Sequence, residues 1–235
     1  AGIGAASARI AASRGYDLAL NSRSDQKGAE AVAADCRAAG ARVILCQGDV
    51  SKPADIATVY AQVDAEYGQL DALINNAGVV DQTARLTDMT HARLKRMFDI
   101  NVIGAMLVAK EAVLRMQAGG RGGVIVNISS AAARLGSGNQ YVDYAASKAA
   151  IDTFTKGLSD EVAADNIRVM SIRPGLIETE LHAKGGEPGR ADRLAHMVPM
   201  KRKGSAEEVA QAILWLCSDQ ASYVTGSALE VTGGR

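Results

Sequence analysis

The run Gly123-Val-Ile-Val-Asn-Ile128 decides the fold. Its side chains do not alternate between apolar and polar, so a strand formed here has no wet face and needs helices packed above and below it. Similar short runs recur at 17–21, 42–46, 70–74, 167–172 and 228–231. Between them lie stretches with helical spacing, many rich in Ala, at 4–14, 26–39, 53–67, 91–116, 143–165 and 206–218. This alternation predicts an α/β fold, a doubly wound parallel sheet with helices on both faces. Pro53 suits the first turn of its helix, and Ser51 is placed to cap it. No linker interrupts the pattern, so residues 1–235 read as a single domain. Residues from about 173 to 204 show no clear period and hold three of the four prolines, which predicts a substrate lid rather than an idle connection. The first helix starts inside a glycine turn with no apolar run before it. We therefore expect a strand and turn of roughly ten residues ahead of it, absent from this sequence.

The composition narrows the function. The 26 Lys and Arg balance 26 Asp and Glu, so no general field attracts a phosphate backbone or an anionic membrane, and no basic run supplies a local one. No stretch approaches the roughly 18 to 20 apolar residues that cross a bilayer, and the opening segment lacks the blocks of a signal peptide, which predicts a cytoplasmic protein. Cys36, Cys46 and Cys217 are odd in number and lack a CxxC pair, so neither a disulfide framework nor a metal site is expected. Met97, Met106 and Met116 read as core filler. His91 and His196 read as solvated, and His182 is the histidine nearest a substrate role.

Several residues carry the vocabulary of dinucleotide chemistry. Gly2-Ile3-Gly4 opens the first helix, where bare backbone lets a pyrophosphate approach N–H groups and the positive end of the helix dipole. About 20 residues later, where such folds read the ribose, stand Ser22 and Arg23, a hydroxyl and a cation suited to the 2′-phosphate of NADP. Asp25 keeps NAD possible. Asp49-Val50 and Asn75-Asn76-Ala77-Gly78 follow apolar runs, at the strand ends where open α/β sheets bind ligands. In Tyr144-Ala-Ala-Ser-Lys148 a spacing of four sets a phenol and an ammonium on one helix face. A free Tyr has a pKa of about 10, so working near neutral pH calls for roughly 4 kcal/mol of phenolate stabilisation. We expect Lys148 and an oxidised nicotinamide to supply it by lowering the phenol pKa.

Gly2-Ile3-Gly4, Asn75 to Gly78, Asn101, Ser129-Ser130, Tyr144 to Lys148 and Arg173-Pro174-Gly175 occur in the order of the short-chain dehydrogenase/reductase family, which the chain resembles over almost its whole length. The resemblance implies a tyrosine-dependent oxidoreductase on one Rossmann-type domain, a homo-tetramer or homo-dimer. It implies Tyr144 as general acid/base, Lys148 as the residue that tunes it and binds the nicotinamide ribose, Ser130 as the group polarising the carbonyl, and Asn101 as holder of a water linking Lys148 to solvent. It also implies cofactor contacts from Pro174, Gly175, the Ile177 backbone and Thr179. The Ser130–Tyr144 spacing is one residue longer than usual, which leaves either an extra residue in the intervening loop or Ser129 as the alternative. Ala1 stands where many NADP-using members carry a basic residue.

The expected activity is hydride transfer between NADP(H) and a small-molecule carbonyl or secondary alcohol, without a metal and without nucleic-acid or membrane partners. Two alternatives stay open: an NAD-dependent sugar or polyol dehydrogenase, and a non-catalytic dinucleotide-binding sensor. Arg134, Lys184, Arg190 and Arg193 read first as solvated charges and second as contacts for an anionic substrate.

Overall fold

The structure is a computed structural model that describes residues 2–178, 186 and 189–235. Six strands form: β1 (Leu18–Ser22), β2 (Val43–Gln47), β3 (Ala72–Asn75), β4 (Gly123–Ile128), β5 (Ile167–Pro174) and β6 (Ala228–Val231). The helices are α1 (Gly2–Ser13), α2 (Gln26–Ala38), α3 (Pro53–Tyr67), α4 (His91–Phe98), α5 (Ala105–Gly119), α6 (Ala132–Leu135), α7 (Val142–Val162), α8 (Arg190–Leu194) and α9 (Ala206–Leu216), with short 3₁₀ turns between some of them. All strand pairs are parallel. β1 pairs with β2, and β3, β4, β5 and β6 pair in that order.

The non-alternating runs are buried on two faces, as their composition predicts. Val126 and Ile128 of β4, with Met170 and Ile172 of β5, pack under Val209, Ile213 and Leu214 of α9. Ile125 of β4 and Val169 of β5 point the other way, against Ala112, Val113 and Met116 of α5 and Ile56 and Tyr60 of α3. Each such side chain contributes about 1.5–3 kcal/mol on burial. β1 and β3 are less covered. Among the described residues each has a hydrogen-bonded partner on one edge only, and Leu18, Leu20, Leu73 and Ile74 are half-buried.

Three local expectations are corrected. Residues 91–116 are helical throughout but not a uniform α-helix: a π turn over Asp99–Gly104 joins α4 to α5. Gly104 sits where an added Cβ would meet the Val50 carbonyl oxygen at 2.6 Å, so this stretch passes close to the loop after β2. Ser51 does not cap α3. The N-cap is Lys52, without a side-chain bond, because the Ser51 hydroxyl and N–H both turn back to Asp49 Oδ1. Met106 is at the surface, while Met97 and Met116 fill the core. Among the described residues no helix is long and apolar enough to cross a membrane.

Candidate active site

β4 ends at Ile128 and delivers Ser129 and Ser130 to the carboxyl edge of the sheet, opposite the first turns of α7. The two serines have different fates. Ser129 is buried and donates to the Lys148 carbonyl at 3.1 Å. Ser130 accepts from the Ala132 N–H at 3.1 Å and shares the pocket lining with the Tyr144 phenol, whose proton affinity it lowers. The longer spacing is absorbed by a loop in which Gly136, Ser137 and Asn139 all take left-handed conformations. Ser130, not Ser129, is therefore the serine that meets Tyr144.

Lys148 lies one turn on from Tyr144, as the spacing of four requires, with Nζ 5.7 Å from the centre of the Tyr144 ring. It is nearly sealed from solvent and donates to the Ile128 carbonyl at 2.8 Å. Burial pushes its ammonium down to about 8, with the Asp152 carboxylate opposing the shift. The expected lowering of the phenol by Lys148 is not present. Burial holds Tyr144 above its ordinary value, and Ser130 only pulls the other way.

Asn101 occupies the π turn and is buried. Its Nδ2 donates to the Val79 carbonyl at 2.9 Å and its Oδ1 accepts from the Val79 N–H at 2.8 Å, so it clamps the chain just beyond Gly78. It also reaches Ser147 on α7 at 3.1 Å. Beneath lies a polar ladder whose bonds the sequence did not reveal: Asn75 Nδ2 donates to Asn127 Oδ1 at 3.1 Å, and Asn127 Nδ2 donates to Thr155 at 2.9 Å. Its trace in the sequence is an Asn at or next to the end of two otherwise apolar strands.

A pocket of about 370 Å³ opens above this machinery. Gly2 and Ile3 line it from α1, and Asn76, Ala77 and Gly78 from the end of β3. Ser130, Tyr144 and Lys148 line it from the centre, and Pro174, Gly175 and Ile177 from beyond β5. Leu135, Ser137, Tyr141 and Arg190 close the remaining side. Arg190 thus faces the pocket, although its first reading was a solvated charge, whereas Arg134 is engaged with Glu230 and the Arg235 carbonyl. A second, more open cleft of about 480 Å³ holds Arg23, Asp49, Lys52 and Asp55. Burial raises Asp49, but the Ser51 bonds and the charges of Arg23 and Lys52 outweigh it and leave the carboxylate lowered. Gly4, Ser22 and Val50 lie outside both linings. Asp25 accepts from the Gly28 N–H at 2.9 Å and caps α2. Thr179, His182 and Lys184 lie outside the described residues.

The pocket fits a nicotinamide dinucleotide. Gly2, at φ 62°, uses the left-handed conformation to start α1 beside the pocket, and first-turn N–H groups have no partner within a helix. A Cβ on Gly4 would stand 2.7 Å from the Asn76 amide nitrogen, and one on Gly78 3.3 Å from Lys148 Nζ. Only bare backbone lets these segments converge. Among the described residues no group of three or more His, Cys, Asp or Glu is placed to hold a metal.

A family model described as enoyl-(acyl carrier protein) reductase matches residues 1–235. The chain is a short-chain dehydrogenase/reductase. It is 49% identical, over all of its length and 96% of the relative's, to the uncharacterized oxidoreductase YgfF of Escherichia coli K12. It is 37% identical to the cis-4-hydroxycyclohexanecarboxylate dehydrogenase of Sinomonas cyclohexanicum, over 99% of this chain and 92% of that one. Among solved structures it superposes with a TM-score of 0.92 on the 3-ketoacyl-(acyl-carrier-protein) reductase of Brucella melitensis, complexed with NADH, at 30% identity over 100% of this chain and 93% of that one. As a short-chain dehydrogenase/reductase it is a Rossmann-type enzyme that acts on CH–OH donors and binds NAD(P)(H).

Proposed function

We propose that this chain is an NADP(H)-dependent oxidoreductase that interconverts a small-molecule carbonyl and a secondary alcohol. The observation that carries the reading is the meeting of Ser130, Tyr144 and Lys148 in the lining of one pocket. When bound, the dinucleotide supplies hydride chemistry. In reduction the carbonyl carbon gains the hydride and its oxygen gains the Tyr144 proton, while Ser130 donates a hydrogen bond to the developing alkoxide. The raised phenol keeps its proton at neutral pH, as an acid must. Lys148 holds the nicotinamide ribose and stabilises the phenolate left behind, and Asn101 positions a water through which that proton is replaced. Gly2, Ile3 and Gly4 hold the pyrophosphate, Asp49 and Val50 the adenine, Asn76 to Gly78 the adjoining ribose, and Pro174, Gly175, Ile177 and Thr179 the nicotinamide.

Two features favour NADP over NAD. Arg23 and Lys52 place two cations in the cleft beside β1, next to Ser22, and Asp25 is committed to capping α2. Residues 1–235 act as one domain with a lid from about 173 to 204, a reading supported by the pocket contacts of Pro174, Ile177 and Arg190. Self-association into a dimer or tetramer is supported by Ile103, Met106 and Leu114, exposed apolar residues along one face at α5. A cytoplasmic location accords with the absence of a membrane-spanning helix among the described residues. The test is an initial-rate comparison of NADPH and NADH against a panel of ketones and aldehydes. Turnover preferring NADPH supports the reading, and cofactor binding without turnover of any carbonyl overturns it.

A further inference from the structure

We infer that Asp152 is a positioning residue for the reaction, standing behind Lys148 and keeping that lysine charged for the dinucleotide and the phenol; this rests on the oxidoreductase reading above. Tyr144, Lys148 and Asp152 follow one another at intervals of four on α7, so the three side chains lie along one stripe of the helix. The first two line the pocket. The third turns to β5, where the Ser171 hydroxyl donates to Oδ1 and Arg173 Nε donates to Oδ2, both at 2.8 Å.

Those two bonds fix the carboxylate, whose side chain is 12% exposed. Arg173 divides its charge between Asp152 and Glu230 on β6, so it does not cancel the field of Asp152. Lys148 needs that field. Its ammonium is buried and donates to the Ile128 carbonyl, a neutral group, and an ammonium in such a place is driven to give up its proton. The pocket side brings no relief: among the described residues of its lining there are the cations Arg190 and Arg235 but no Asp or Glu. The charges on the elements packed around α7 are engaged elsewhere. Arg93 of α4 pairs with Asp143, Asp99 of the π turn with Lys95, and Arg134 of α6 with Glu230. Arg168 of β5 donates to carbonyls at the end of α9. Further along α7, Lys156 pairs with Asp160, and Asp165 beyond it accepts from Gln117. Asp152 is the carboxylate that opposes burial at Lys148, and the balance leaves the ammonium at about 8. The reaction uses that charge twice, on the ribose and on the phenolate left when Tyr144 gives up its proton.

The experiment reads the charge on Lys148 directly, from the pH dependence of its side-chain NMR signal in the full chain labelled at lysine, the signal being assigned by its loss in Lys148→Met. NADPH dissociation constants are measured at the same pH values. Asp152→Asn keeps the shape of the side chain and removes its charge. The lysine midpoint is expected to fall from about 8 by roughly one unit, and the pH at which NADPH affinity declines is expected to fall with it. Binding near pH 7.5 then weakens about threefold, while binding near pH 6 is unchanged. Asp152→Glu restores a carboxylate and is expected to return the midpoint at least half-way. In a Lys148→Met background, Asp152→Asn is expected to leave the NADPH profile as it was. A midpoint that stays in place in Asp152→Asn overturns the inference, as does affinity lost equally at every pH. Failure of Asp152→Asn to fold also overturns it, since the residue then serves the fold. No turnover of any carbonyl by the unaltered chain overturns the oxidoreductase reading instead, and the lysine signal, read without cofactor, still decides whether Asp152 holds the charge.

Discussion

Arg93 grips Asp143 through two prongs, Nε to Oδ2 at 2.8 Å and Nη2 to Oδ1 at 3.1 Å, with the carboxylate side chain wholly buried. The pair ties α4 to the first turn of α7, one residue before Tyr144. Arg93 also donates to the Gln82 carbonyl at 2.6 Å, so one guanidinium fixes both the helix start and the segment beyond Gly78. Removing one partner leaves a buried charge without compensation. Arg93→Met is expected to cost about 3–5 kcal/mol in urea unfolding, and Arg93→Met with Asp143→Leu to regain much of it. The single variant is also expected to lower kcat more than it raises KM, since α7 carries the proton donor.

Tyr144→Phe removes the acid and leaves the ring. The expected loss is about 10²–10⁴-fold in kcat, with NADPH affinity largely kept by fluorescence titration. Ser130→Ala is expected to lose about 10²–10³-fold, the scale for one donor to a developing oxyanion. Ser129→Ala removes a bond to the Lys148 carbonyl and is expected to lower stability rather than kcat. A larger kcat loss from Ser129→Ala than from Ser130→Ala would reverse their assignment.

Arg23→Ala is expected to weaken NADPH binding by about ten- to hundredfold while leaving NADH nearly unchanged. Lys52→Ala, in the same cleft, is expected to act in the same direction. Equal effects on the two cofactors would remove the argument for a phosphate-reading cation.

The Lys148 ammonium, held at about 8 by burial, makes cofactor affinity depend on pH. As pH rises through about 8 the lysine loses its charge, and NADPH dissociation constants are expected to increase; Lys148→Met should flatten that profile. Stability runs the other way. The unfolded lysine keeps its proton to about 10.4, so over that window the unfolded chain binds more protons and this group's contribution to folding rises with pH. Urea midpoints of the unliganded chain compared with Lys148→Met check the sign.

Ser205 and Glu208 close a reciprocal cap on α9, the hydroxyl accepting from the Glu208 N–H and the carboxylate from the Ser205 N–H. Ser205→Ala is expected to cost about 0.5–2 kcal/mol, measured by denaturant titration, without change in kcat.

What the sequence discloses follows from which forces are local. β4, β6 and α3 fall where apolar runs and Pro53 place them, because two-sided burial and proline geometry act over a few residues. Tyr144 and Lys148 meet because a helix fixes neighbours four apart. Asn101 shares a family motif, but the π turn that buries it has no periodicity of its own and interrupts an otherwise continuous helical pattern. Ser51 has the chemistry of a cap, yet Asp49 two residues earlier competes for its hydroxyl and wins. Arg190 reads as a surface charge because nothing adjacent in the chain announces Tyr141, nearly fifty positions away, whose ring centre lies 5.2 Å from its guanidinium carbon.

The widened turn at Asp99–Gly104 sets local regularity against usefulness. Deleting one of its residues would let α4 run on into α5 as an ordinary α-helix with the helices on either side kept in register, since the wide turn holds about one residue more than an α turn. Asn101 would then rotate off Val79, and the loop it pins would lose its anchor beside Lys148. A shorter chain of this kind gains smoother hydrogen bonding along one rod and forfeits the workshop at its side.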